Sequence, residues 1–132
     1  MASSDIEKTL RLRIKLSPEI ILGPGKAQVL RGIRDTGSIS ATGRLTGMSY
    51  KRTWDLVNRM NHDYRQPLIQ TNTGGQHGGG ASLTATGAKV LALYERIMEN
   101  TAQATAKELA QLNRLANLEA AGTARKKQKQ EA

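Results

Sequence analysis

The 132-residue chain contains no cysteine and no phenylalanine, and has only one tryptophan and three prolines. Without cysteine there are no disulfides, no thiolate metal sites and no cysteine nucleophile. Without phenylalanine, the core must be built from Leu, Ile, Val, Ala and Met. No stretch approaches the ~20 apolar residues that a membrane helix needs. The N-terminus, Met1 to Lys8, lacks the apolar run of a signal peptide. These absences point to a cytoplasmic chain of one ordinary domain, too short for two cores. Acidic residues are also scarce: 11 Asp and Glu stand against 20 Lys and Arg, a net charge of +9. So basic a chain is drawn to polyanions whatever its fold, be they DNA, RNA or an anionic membrane.

The hydropathy pattern divides the chain into a loose, polar segment at 1–9, a folded domain at 10–87, a long helix at 88–121 and a basic tail at 122–132. Leu10, Leu12, Ile14 and Leu16 alternate with Arg11, Arg13, Lys15 and Ser17, the period of a strand with one buried face. The basic residues of that strand are expected on its solvated face. Gly23-Pro24-Gly25 reads as a turn, and Pro24 also suits the position at or just before the start of a helix. Ala27, Val29, Leu30 and Ile33 follow at helical spacing up to Gly37, a candidate C-cap. Ser38 and Ser49 are candidate N-caps for two further helices. The first carries Ile39, Ala41 and Leu45, and the second a stripe of Thr53, Leu56, Val57 and Met60. Pro67 stops the helix. Two short strands, 68–71 and 81–83, flank a run rich in glycine and make a β-hairpin. Thr84 or Thr86 caps a last helix carrying Leu91, Tyr94, Met98, Leu109 and Leu112. That helix outruns a small domain, so its apolar seam is expected to pair with a second copy.

The order strand, three helices, strand, glycine loop, strand, helix predicts a mainly α fold with a small β-hairpin. This is a winged helix-turn-helix followed by a long dimerisation helix. In that arrangement one helix braces across the nucleic-acid backbone while the next lies in the major groove. Gly47 would supply the turn and Ala41 the close approach between helices. The second helix opens with Ser49, Tyr50, Lys51 and Arg52, where backbone amides and the helix dipole also favour phosphate. Arg52 can pair bidentately with guanine. Asp55 could accept from a cytosine amine, or hold Lys51, Arg52 or Arg59 in place. Asn58 and Arg59 extend the polar face, and Arg44 in the bracing helix is a candidate phosphate contact. Trp54 is expected in the core. The loop Thr73-Gly74-Gly75-Gln76-His77-Gly78 would be a wing tip, with Gln76 and His77 as probes. So many glycines cost folding entropy that a plain turn need not incur.

Enzyme readings find little support. Gly23-Pro24-Gly25-Lys26 lacks the spacing and the hydroxyl of a phosphate-binding loop. His62 and His77 are the only histidines and are far apart, with no metal-ligand spacing around them. No cofactor and no metal are expected.

Three stretches occur together in order. They are Gly37-Ser38-Ile39-Ser40, then Gly47-Met48-Ser49-Tyr50-Lys51-Arg52-Thr53-Trp54-Asp55-Leu56-Val57-Asn58-Arg59-Met60-Asn61, then the glycine loop from Thr73 to Ala81 with Leu83-Thr84. Together they resemble the N-terminal domain of the molybdate-responsive regulators of the ModE type, over roughly residues 10–98. The resemblance implies a homodimeric, double-stranded DNA-binding regulator of genes for molybdate uptake and molybdenum enzymes. It carries Ser49 to Arg52, Asp55, Asn58 and Arg59 over as recognition-helix residues, and Thr73 to Gly80 as the wing. Family members place molybdate-binding modules after this domain. The present chain reads as a stand-alone version, to which a separate molybdate-sensing partner could be added. Gln76 also stands where a basic residue is common, and His77 where glycine is. Two alternatives of other classes stand beside this reading: an architectural DNA-binding protein of low specificity, and a docking module for a separate sensor subunit.

Overall fold

The computed structural model describes residues 6–7, 9–72 and 80–119. They fall into two compact units, divided after Asn100. The first opens with a hairpin of two very short strands, β1 (Ile14–Lys15) and β2 (Ile21–Leu22), paired antiparallel with Ile14 opposite Leu22. Of the strand expected over 10–16 only Ile14–Lys15 forms, and Leu16, expected on its buried face, is exposed; the alternation gave no sign of the partner strand. Ser17 turns the chain: its Oγ accepts from the backbone N–H of Glu19 (3.3 Å) and Ile20 (3.1 Å). That leaves Gly23-Pro24 free to open a helix, with Gly23 as N-cap and Pro24 in the first turn.

Three helices follow: α1 (Pro24–Thr36), α2 (Ile39–Thr46) and α3 (Tyr50–Asp63). Their boundaries are set by local chemistry. Gly37 and Gly47 end α1 and α2 in the left-handed region, at φ 67° and 73°. Ser38 Oγ accepts from Ala41 N–H (3.1 Å), and Ser49 Oγ from Arg52 N–H (3.0 Å). The close approach between helices does not come from Ala41, which is only half-buried. Gly32 and Gly43 provide it. A Cβ on Gly32 would fall 2.5 Å from Thr42 Cγ2, and one on Gly43 would fall 2.9 Å from Thr53 Oγ1. The two buried threonines that fill these gaps satisfy their hydroxyls locally. Thr42 donates to Ser38 O (2.7 Å) and Thr53 to Ser49 O (2.9 Å).

Strands β3 (Ile69–Asn72) and β4 (Gly80–Leu83) form the second hairpin, with Ile69 opposite Leu83 and Asn72 opposite Gly80. The tip, 73–79, lies outside the described residues, and with it the expected contacts Thr73 to Gly78. The fold of the first unit is thus a mainly α winged helix-turn-helix. Its core joins Val29, Leu30 and Ile33 of α1 with Val57 and Met60 of α3, Leu68, Ile69 and, from helix α4 (Ala85–Ala104), Leu91, Tyr94 and Met98. Gly87 of α4 lies against the carbonyl of Leu68, where a side chain has no room.

The single helix expected over 88–121 is two. α4 starts earlier, at Ala85, capped by Thr84, whose Oγ accepts from Gly87 N–H (3.0 Å). At Thr105 the backbone turns out of helical geometry (φ −110°, ψ 9°), and α5 (Ala106–Leu115) follows. Thr101 and Thr105 are β-branched, and Thr105 Oγ1 donates to Thr101 O (2.7 Å), a side-chain bond that weakens helical continuity. In the second unit Leu109 is half-buried while Leu112, Leu115 and Leu118 are exposed. Among the described residues no helix is long and apolar enough to cross a membrane.

Candidate nucleic-acid interface

Helix α3 has two faces. Thr53, Val57 and Met60 are buried against α1 and α2, with Leu56 half-buried beside them. Tyr50, Lys51, Arg52, Asp55, Asn58, Arg59 and His62 are exposed. At 3.6 residues per turn, Lys51, Asp55, Asn58 and His62 share a stripe roughly 60° wide, and Arg52 and Arg59 lie together on one flank. Arg44 is exposed on α2. Among the described residues Arg44, Lys51, Arg52 and Arg59 form no ion pair, so their charges face solvent. Asp55 does not hold Lys51, Arg52 or Arg59 in place: it makes no ion pair with any of them. The Ser49 oxygen is engaged in the cap, which leaves its O–H free to donate. The aromatic residues differ from expectation. Trp54 is half-buried rather than core, and Tyr50 packs edge-on against it, with ring centroids 6.3 Å apart and planes at 77°.

The wing is rooted to the helices at both strands. Asn61, in the last turn of α3, accepts with Oδ1 from the backbone N–H of Leu68 (2.9 Å) and Ile69 (3.0 Å). Its Nδ2 donates to Ile69 O (2.9 Å). On the other strand, Ala81 N–H donates to Gly37 O (2.9 Å) at the end of α1. Thr84 Oγ1 closes the base by donating to Pro67 O (2.6 Å).

The same C-terminal end of α3 is held by a buried carboxylate. Asp63 Oδ2 lies 3.6 Å from Lys26 Nζ, which also donates to Ile21 O (2.6 Å). His62 is exposed and its Nδ1 lies 3.8 Å from Asp63 Oδ1. These two residues find no third ligand: among the described residues no group of three His, Cys, Asp or Glu could hold a metal ion.

No family model matches the chain. Among curated proteins, 90 of its residues (68%) are 38% identical to the transcriptional regulator ModE of Yersinia pestis, over 34% of that protein. The DNA-binding transcriptional dual regulator ModE of Escherichia coli (strain K12) is 34% identical over 94 residues, 71% of this chain and 36% of that one. The molybdenum-pterin-binding protein MopB of Rhodobacter capsulatus is 42% identical over 82 residues, 62% of this chain and 30% of that one. About two thirds of the chain is homologous to the ModE-type regulators. The chain spans about a third of the length of the curated relatives it matches.

In this ModE-like chain the expected dimer seam needs correction. Leu91, Tyr94 and Met98 are buried within the single chain, at 2%, 0% and 0% exposure. They cannot also cover a second copy. Their spacing showed correctly that a face is buried, but the domain itself buries it. The apolar residues of α4 left exposed are Leu93 and Ile97. The sequence reading also missed a charged cluster. Ile6 and Glu7, expected in a loose N-terminus, are buried. Arg31 of α1 donates to both oxygens of Glu7 (2.6 and 3.2 Å) and, through Nε, to Glu95 of α4 (3.0 Å). Burial opposes the charge of Arg31, yet the bonds to Glu7 and Glu95 hold its pKa above the ordinary guanidinium value. No local motif announces such a cluster, since its members lie 24 and 64 residues apart.

Proposed function

We propose that this chain is a non-enzymatic, cytoplasmic transcription regulator that binds double-stranded DNA as a homodimer and acts on genes of molybdenum handling. The observation that carries the reading is the exposed, unpaired basic face of α3 on a helix-turn-helix scaffold. Lys51 and Arg52 sit at the helix N-terminus, where phosphate is favoured and bases are within reach of a guanidinium. Arg44 on the bracing helix and Arg59 further along α3 supply phosphate contacts. On sequence grounds alone, the glycine-rich stretch Thr73 to Gly78, with Gln76 and His77, would contact the flanking duplex. The names of the relatives support both halves of this reading, one as a DNA-binding regulator and another as a molybdenum-pterin-binding protein. Leu93 and Ile97 of α4, and Leu109 and Leu112 of α5, are the surfaces from which a dimer would be built.

The test is an unbiased selection of bound duplexes with the full chain at physiological salt. A palindromic motif is expected, with half-sites roughly 10 bp or a multiple apart. Its occurrence beside molybdenum genes would support the regulatory role. Arg52→Ala should cost about 1–3 kcal/mol of binding and relax one position of the motif. Binding without an enriched motif, with a steep salt dependence, would replace this reading with the architectural one. Light scattering at micromolar protein should give the mass of a dimer.

A further inference from the structure

Asp55 is out of place on a surface built for a polyanion. α3 has two acidic residues, and the other, Asp63, is buried. Asp55 stands exposed in the middle of the stripe formed with Lys51, Asn58 and His62. Lys51 and Arg59 lie one turn to either side and Arg52 three residues before. An Asp with Arg four residues on is the favoured order for a helical ion pair. None of these pairs forms: Asp55 has no hydrogen bond or ion pair among the described residues. Nor does it sit in the first turn, where an acid would complement the helix dipole. The carboxylate therefore serves neither the helix nor its neighbours, and it repels phosphate.

A carboxylate on a base-facing stripe can only accept. In the major groove the partners it suits are exocyclic amines, N4 of cytosine and N6 of adenine. Guanine N7 and O6, and thymine O4, present lone pairs to it and are repelled. Building on the DNA reading of α3, we propose that Asp55 is a specificity-determining residue. It accepts from a base amine, cytosine N4 foremost, and rejects bases that offer only acceptors at that position. It weakens binding to DNA at large, and discrimination is gained because wrong sites lose more than the right one.

The experiment is the duplex selection run in parallel on the full-length wild type, Asp55→Asn and Asp55→Ala, with a titration of each against random-sequence duplex. Thermal melts of the three should coincide, since the side chain is exposed and unpaired. The wild-type motif should contain a position that prefers cytosine. In Asp55→Ala that preference should fall about tenfold or more, and in Asp55→Asn it should fall or shift to adenine, which an amide pairs well. Both variants should bind random duplex several-fold more tightly. If both select the wild-type motif with equal strength at every position, the assignment of Asp55 is overturned while DNA reading stands. If the wild type itself binds but enriches no motif, base reading by α3 falls and the role of Asp55 falls with it.

Discussion

Asn61 uses both ends of its amide on one strand. It satisfies two backbone N–H groups and a carbonyl of Leu68 and Ile69, residues that are themselves buried. Removing it leaves those part-buried groups without their partners, a cost of about 1–3 kcal/mol. Asn61→Ala should therefore lower the unfolding free energy obtained from urea titration by that amount. Asn61→Asp should recover part of the loss, because it keeps the acceptor and loses the donor. Gly43 shows the opposite kind of sensitivity, to addition. A methyl group there meets Thr53 Oγ1 at 2.9 Å and the backbone oxygen of Met48 at 3.1 Å. The second of these cannot swing away. Gly43→Ala should destabilise by about 1–3 kcal/mol despite the better helix propensity of alanine. Chemical denaturation decides the sign: a more stable variant would mean that the turn gives way.

At the scale of elements, what could be read from the sequence was what depends on neighbours in the chain. Ser38, Ser49 and Thr84 cap as their types require, and Gly37 and Gly47 adopt the positive φ that glycine tolerates. The stripe Thr53, Val57, Met60 faces inward, which leaves the candidate DNA-facing residues of α3 outward. What could not be read depends on residues distant in sequence. The spacing of Leu91, Tyr94 and Met98 states that a face is covered but not by which chain. β2 is too short to carry a period of its own, and it exists because Ser17 folds it back on β1. The expected helix through residue 121 failed at Thr105 for a different reason. Helix propensity is lowered only slightly by one threonine, but a Thr105 hydroxyl that donates to the carbonyl of Thr101, four residues back, acts locally in a way no window average registers.

The whole molecule answers to pH through its phenols. Tyr94 is fully buried and donates to Leu12 O (3.1 Å), joining the segment before β1 to α4. Desolvation, aided by the negative charge of Glu7, raises its pKa, and desolvation with Asp63 raises that of Tyr64. A raised pKa means the folded state holds the proton more tightly than the unfolded chain. The stability this contributes is complete below the unfolded value of about 10 and is lost as pH climbs through the folded one. The urea midpoint should thus hold up to about pH 10 and fall as pH rises beyond it. Tyr94→Phe should start lower at pH 7, through the lost hydrogen bond, and then fall less steeply. Parallel slopes for the two proteins would assign the alkaline transition elsewhere.

The two feet of the wing are fastened to different helices, β3 to α3 through Asn61 and β4 to the end of α1 through Gly37. A loop clamped at both ends transmits little of its own length to the parts that clamp it, and the entropy of closing it grows only with the logarithm of that length. Evolution can therefore rewrite the stretch between Asn72 and Gly80 as separate text. Insertions and exchanges between those two anchors should leave the position of α3 unchanged.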